Sequence, residues 1–185
     1  MIAWLPVVLS GVLTFTGPSA SSNTPTTAAS VPAAVRYDAM LEGPLRRVRT
    51  TDRIVKALLV EGLQRSQTFA DLVAAVNATD VIVYIQRVAK LPPTIAGQLM
   101  MVPVPTAQRY LRIQISDHLS PAETISLIGH ELRHALEVAA APDVHDQQGL
   151  ADLYRRIGEP GGIVHSFDTR AARNSGRRVL SELAG

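Results

Sequence analysis

Two histidines and a glutamate in the segment "ISLIGHELRHALEVA", residues 125–139, are the side chains of this sequence best suited to chemistry. His130 and His134 are four residues apart, so in a helix both imidazoles leave the same face and can ligate one tetrahedral zinc ion. Glu131 points about a quarter-turn away, where it can reach a water on the metal without binding the metal itself. Zinc lowers the pKa of such a water towards neutrality, and the carboxylate takes its proton as the water attacks a carbonyl. The pattern H-E-x-x-H therefore indicates metal-assisted hydrolysis, with Glu131 as the general base.

The surroundings of the motif favour a metal site over a pair of surface histidines. Apolar residues flank the histidines, namely Ile128, Leu132, Ala135 and Leu136. Two imidazoles without partners would be expensive to desolvate among these side chains. The alternative is an exposed histidine pair beside a solvated glutamate.

The segment "LIGHELRHALEVA" resembles the active-site helix of the zincin metallopeptidases. It is also similar to small exported bacterial proteins of unassigned activity that contain H-E-x-x-H-A-x-E. The resemblance implies that His130 and His134 are metal ligands, that Glu131 is the catalytic base and that a peptide or protein is the substrate. It also implies that the helix directly follows the edge strand of a small antiparallel sheet.

The third metal ligand departs from the patterns of the best-known zincins. The metzincin-type extension requires glycine at position 137 and histidine at position 140, where this chain has Glu137 and Ala140, and the aspzincin continuation G-T-x-D is also missing. The chain contains no cysteine, so the ligand must be histidine, aspartate or glutamate.

Three downstream residues are candidates for this ligand, ranked Asp168, Asp152 and His165. Asp168 ranks first because it is expected at the start of the last helix, beside Phe167, which should pack inward. Its alternative role is that of an ordinary acidic residue or cap at a helix N-terminus.

Glu137 is expected to orient a neighbour, because it lies about 10 Å along the helix axis from His130 and is too far away to share its metal ion. Its neighbour would be His134 or an arginine. A plain surface acid is the alternative. Tyr154, Tyr110 and His165 could each stabilise an oxyanion, and the sequence does not choose among them.

The elements before the motif are predicted from periodicity and chain breakers. Helices are expected at 53–65, with Asp52 as the N-cap, and at 68–77. Strands are expected at 81–85, 98–104 and 110–116, and the second should lie at an edge because prolines limit it.

The motif helix has a clear start, because Ser120, Pro121 and Glu123 form a capping box. It should run to about residue 140, and further helices are expected at 147–157 and at about 167–183. The strands are too closely spaced for parallel crossovers. We therefore predict an α+β fold, with helices packed on a small antiparallel sheet in a single zincin-like domain at 36–185.

The N-terminal region is expected to direct export. The first thirty residues have no charged side chain, and an apolar run from Ile2 to Thr16 precedes small residues near Ala20. This pattern predicts a signal peptide at 1–20 and a disordered leader at 21–35. The protein would then be periplasmic or secreted, with no stable membrane span after cleavage. An uncleaved N-terminal anchor is the alternative.

The composition narrows the function further. A net charge of +2 without a dense block of Lys and Arg argues against nucleic acid as a partner. The sequence therefore predicts an exported zinc metallopeptidase. One rival is a metal-binding protein that uses zinc as a structural clamp without catalysis. Another is an envelope interaction module in which the histidines bind no metal and only contribute to packing. A closed structural site has no need of Glu131, which favours the enzyme.

Overall fold

The computed structural model describes residues 43–92, 94–104, 108–160 and 167–185. Within these ranges the chain is α+β, as predicted. The helices are α1 (Arg53–Arg65), α2 (Gln67–Asn77), α3 (Pro121–Ala139), α4 (Gln147–Ile157) and α5 (Arg170–Ala184). The strands are β1 (Val48–Arg49), β2 (Val81–Val88), β3 (Gly97–Val102), β4 (Arg109–Ser116), β5 (Glu159–Pro160) and β6 (Phe167–Asp168). The predicted signal peptide and leader lie outside the described residues, as do the start of the predicted domain and His165.

The main sheet is mixed, so the prediction of an antiparallel sheet is wrong for two of its three pairings. Its strand order is β1-β2-β4-β3; β2 is parallel to both β1 and β4, and β3 is antiparallel to β4. The sequence reading missed β1, which is two residues long, and so missed that α1 and α2 form a crossover between parallel strands. β3 lies at the edge beyond β4, as expected for a strand followed by Pro103.

The hydrophobic core lies between one face of this sheet and the helices. In β4, buried Leu111, Ile113 and Ile115 alternate with more exposed residues, which confirms the predicted pattern. These side chains join the apolar faces of α1, α2 and α3 in one cluster. Among the described residues, no helix combines the length and the apolar character needed to cross a membrane.

Helix α3 is fixed at both ends. At its start, the predicted capping box is present: Glu123 accepts from the Ser120 backbone N–H at 2.8 Å, and the Ser120 hydroxyl accepts from the Glu123 N–H. At its end, the buried guanidinium of Arg109 donates to the carbonyls of Val138 at 2.8 Å and Ala141 at 2.7 Å. The sheet therefore holds the helix that contains the histidines in a defined position.

Helix α5 begins later than predicted. Its N-cap is Thr169, whose hydroxyl accepts from the Ala172 N–H at 3.1 Å, while Phe167 and Asp168 form strand β6. Asp168 is therefore not at a helix start, because it pairs with Glu159 in the small β5–β6 sheet. Phe167 packs against the core but is only partly buried.

Helices α3 and α5 cross at close range. A Cβ atom added at Gly129 would lie 2.9 Å from Cγ2 of Val179, and one added at Gly176 would lie 3.2 Å from Cβ of His130. The Ser126 hydroxyl donates to the carbonyl of Gly176 at 2.8 Å. The absence of side chains at the two glycines permits this approach, which places the start of α5 beside the motif.

Candidate metal centre

The two histidines of α3 share one buried face of the helix. His130 and His134 are 1% and 0% exposed, and their Nε2 atoms are 3.1 Å apart. Their rings meet edge to face, with centroids 4.8 Å apart. The separation of four residues therefore brings both Nε2 atoms to the same point.

Asp168 reaches the same point from β6. Its Oδ1 atom lies 3.4 Å from Nε2 of His130 and 3.4 Å from Nε2 of His134. A triangle with sides of 3.1, 3.4 and 3.4 Å has its centre about 1.9 Å from each corner, close to zinc–nitrogen and zinc–oxygen bonds of about 2.0–2.2 Å. These three residues form a buried group that can hold a metal ion. Imidazole and carboxylate donors fit zinc but also suit other divalent metals.

The carboxylate of Asp168 is suited to binding a cation at this point. Its Oδ1 atom is buried and has no hydrogen-bond partner among the described residues. At 3.4 Å the contacts between Asp168 and the imidazoles are too long for good hydrogen bonds. A cation between the three ligand atoms would compensate the buried carboxylate, so the residues present fit a metal ion.

Glu137 orients His134, which decides between the two roles that the sequence left open. Its Oε2 accepts from His134 Nδ1 at 2.8 Å and from the Tyr154 hydroxyl at 3.2 Å. Its Oε1 accepts from the Thr169 hydroxyl at 2.7 Å. A proton held on Nδ1 leaves the lone pair of Nε2 directed at the ligand triangle.

Glu131 is fully buried beside this group. Neither of its oxygens has a hydrogen-bond partner in the part of the chain that the structure describes. Burial raises the pKa of Glu131 to about 8; Asp168 and Glu137 add to the rise, and His134 opposes it. Without a cation nearby, this carboxyl therefore keeps its proton at neutral pH.

The two imidazoles have opposite electrostatic surroundings. Burial and the neighbouring His134 lower the pKa of His130 to about 4. Burial also opposes the charged form of His134, but Asp168 and Glu137 outweigh it and raise its pKa to about 9. In the metal-free protein the extra proton therefore resides on His134, and a metal ion would have to displace it from Nε2 in order to bind there.

The other predicted residues are placed elsewhere or used differently. Asp152, the second-ranked ligand, is exposed on α4 and contacts Gln148 and Arg155 of the same helix. Among the oxyanion candidates, Tyr110 stacks on Tyr84 on the sheet, with ring centroids 6.2 Å apart. Tyr154 lies at the site, but the single proton of its hydroxyl is directed at two acceptors, the His134 carbonyl at 3.1 Å and Glu137 Oε2 at 3.2 Å.

Sequence reasoning missed the contacts of two residues near Asp168, namely Thr169 and Arg173. The Thr169 hydroxyl links the start of α5 to Glu137, and Arg173 contacts the second oxygen of Asp168. A threonine immediately before a helical segment is a recognisable N-cap signal. No local signal indicates that Arg173 faces Asp168.

The fold and the site together define an α+β protein with a buried His–His–Asp group that can hold a metal ion. A search with this chain finds no matching protein-family model, and no curated protein or solved structure matches it.

Proposed function

We propose that this protein is a zinc-dependent hydrolase of the metallopeptidase type. His130, His134 and Asp168 would hold the metal ion, and Glu131 would be the general base. The observation that supports this most strongly is the convergence of three ligand atoms at separations of 3.1–3.4 Å beside an unpaired buried carboxyl. When bound, the ion would lower the pKa of a water and polarise a substrate carbonyl.

The residues of the chain have separate tasks in this reaction. Glu137 holds the Nδ1–H of His134, so Nε2 would offer its lone pair to the metal ion once the second proton of the ring has left. Asp168 would supply the negative charge of the ligand set. Glu131 would accept a proton from the attacking water and donate it to the leaving amine. Its two unpaired oxygens leave it available for both transfers.

The zincin-like character of the fold belongs to the same proposal. Strand β3 is an antiparallel edge strand, but the motif helix α3 directly follows β4, which lies inside the sheet between β2 and β3, so the expected order of edge strand and motif helix is not found. Export, with 1–20 as a signal peptide and a peptide or protein as substrate, is a further part of the proposal. The parallel strands β1 and β2 are a departure from the expected sheet.

The burial of the site favours a second candidate function. His130, Glu131, His134 and Asp168 are at most 5% exposed, so a metal ion there would be shielded from solvent. In this alternative, zinc is a structural clamp that joins α3 to the segment before α5, and no turnover occurs.

The variant Glu131→Gln separates the two functions. If Glu131 is the base, the variant should keep its fold and its zinc, while hydrolysis of a peptide mixture falls by a factor of about 100 or more. Asp152→Asn is the matched control, because it alters an exposed carboxylate outside the site and should keep zinc and activity. Zinc content would be measured by elemental analysis, with His130→Ala as the zinc-free reference.

Two results would count against the enzyme. Undiminished hydrolysis by Glu131→Gln would reject this residue as the base. Zinc binding by the wild-type protein without hydrolysis of any peptide in the mixture would favour the structural clamp.

A further inference from the structure

The two oxygens of the Asp168 carboxylate face different partners. Oδ1 lies 3.4 Å from both histidine Nε2 atoms, whereas Oδ2 lies 3.5 Å from Nη1 of Arg173. The χ2 torsion angle of aspartate has a broad distribution, so rotamer preference alone does not fix the direction of each carboxylate oxygen. A cation on the Oδ2 side keeps Oδ1 directed at the histidines.

Arg173 also compensates a repulsion within the small sheet. Asp168 and Glu159 are cross-strand partners in β5 and β6, and two carboxylates in this relation destabilise each other. Arg173 pairs with Glu159 as well as with Asp168, so its guanidinium lies between the two acids. Arg170 also contacts Glu159, at 3.6 Å, but of these two arginines only Arg173 pairs with both acids.

The first turn of α5, which contains Arg173, is linked through Thr169 to the helix that contains the histidines. The backbone N–H of Arg173 donates to the carbonyl of Thr169 at 3.1 Å. The Thr169 hydroxyl in turn donates to Glu137 of α3, which orients His134. The guanidinium is therefore presented from a fixed point, although it is 37% exposed.

We propose that Arg173 is a positioning residue of the metal centre: it fixes the Asp168 carboxylate so that one oxygen faces the ligand triangle. This inference rests on the proposed metal site. The role calls for arginine, because a planar guanidinium can contact two carboxylates at once, whereas a lysine offers a single point charge. Arg173 does not touch the position of the metal ion itself.

The test compares zinc affinity among variants of the full chain. Arg173→Gln should bind zinc about ten- to a hundredfold more weakly than the wild type, the range typical of residues that hold a metal ligand in place. Arg173→Lys should recover part of this loss. Arg177→Gln is the matched control, since Arg177 lies one turn further along α5 and bonds to Asn174. Dissociation constants would be measured by competition with a chromophoric chelator.

A purely structural role is separated from positioning by the melting temperature of the metal-free protein. Because Arg173 is partly exposed, the loss of its ion pairs should lower the metal-free melting temperature of Arg173→Gln only slightly relative to Arg177→Gln. The zinc affinities of the two variants should nevertheless differ about ten- to a hundredfold. Equal zinc affinities for these two variants would overturn the proposal. If Arg173→Gln does not fold, Arg173→Met takes its place, and unchanged zinc affinity in that variant would overturn the proposal equally.

The wild-type protein and Asp168→Asn distinguish this inference from the metal site itself. A wild-type protein that binds no zinc would refute the metal site, and the role of Arg173 with it. Zinc binding that is weakened by Asp168→Asn but not by Arg173→Gln would refute the positioning role alone.

Discussion

Replacement of Gly129 by alanine tests the helix crossing that brings Asp168 to the histidines. The added Cβ would lie 2.9 Å from Cγ2 of Val179, which is fully buried and stiff because it is β-branched. Overpacking of this kind costs about 1–3 kcal/mol. Inside a helix, alanine has a more favourable intrinsic helix propensity than glycine by about 1 kcal/mol, which partly offsets this cost. The expected net effect is a destabilisation of up to about 2 kcal/mol.

Gly149 in α4 provides a matched control. A Cβ added there would meet its nearest neighbours at 3.5 Å, which is ordinary van der Waals contact. Gly149→Ala should therefore stabilise the protein by up to about 1 kcal/mol. The gain in helix propensity is common to both variants, so the difference between them isolates the steric cost at the crossing, about 1–3 kcal/mol.

The assay is urea unfolding of the metal-free variants, followed by circular dichroism. In addition, we expect weaker zinc binding by Gly129→Ala, because α5 must shift and Asp168 shifts with it. A Gly129→Ala variant as stable as Gly149→Ala would refute the reasoning. The distance between α3 and α5 at their crossing would then be larger than in the structure. The inferred position of Asp168 beside the histidines, which depends on this crossing, would no longer be supported.

Two further predictions concern stability away from the metal centre. Arg109→Met should destabilise the protein by about 3 kcal/mol in urea unfolding, because the carbonyls at the end of α3 lose their buried donor. Arg112→Met on the same strand should change stability by less than about 0.5 kcal/mol, and equal losses would contradict the role of Arg109. Burial opposes ionisation of Glu182, but hydrogen bonds from Ser66 and Thr68 outweigh it and lower its pKa from 4.5 to about 2. Its stabilising effect is thus present above about pH 4.5 and lost as pH falls towards 2, so Glu182→Gln should flatten the loss of stability in this range; an unchanged acid profile would contradict this.

The sequence predicted the features that depend on neighbouring residues. The start of α3 was correct because Ser120 and Glu123 lie three residues apart and satisfy each other's backbone groups. The shared face of His130 and His134 follows from helix geometry alone. The bounds of α4 agree with similar local signals, since Asp146 caps its start and Gly158 follows its end.

Features that depend on contacts between residues far apart in the sequence could not be predicted from such local signals. The direction of β2 relative to β1 is set by pairing across two helices, and a two-residue strand gives no periodic signal. Asp168 ranked first among the ligand candidates, yet the stated reason, a helix start beside a buried aromatic, was wrong. Its position depends on the contact between Thr169 and Glu137, which are 32 residues apart.

Glu131 is the residue on which the choice between enzyme and structural clamp depends. A carboxyl group that is fully buried, with neither oxygen paired among the described residues, costs free energy in any fold. A structural clamp gains nothing from this cost, because the three ligand atoms of His130, His134 and Asp168 already lie together without it. A hydrolase needs an acid at this position that is free to exchange a proton beside the metal. The lack of a partner for Glu131 among the described residues would therefore be explained by the proposed catalysis, whereas in a clamp it would be a cost without a benefit.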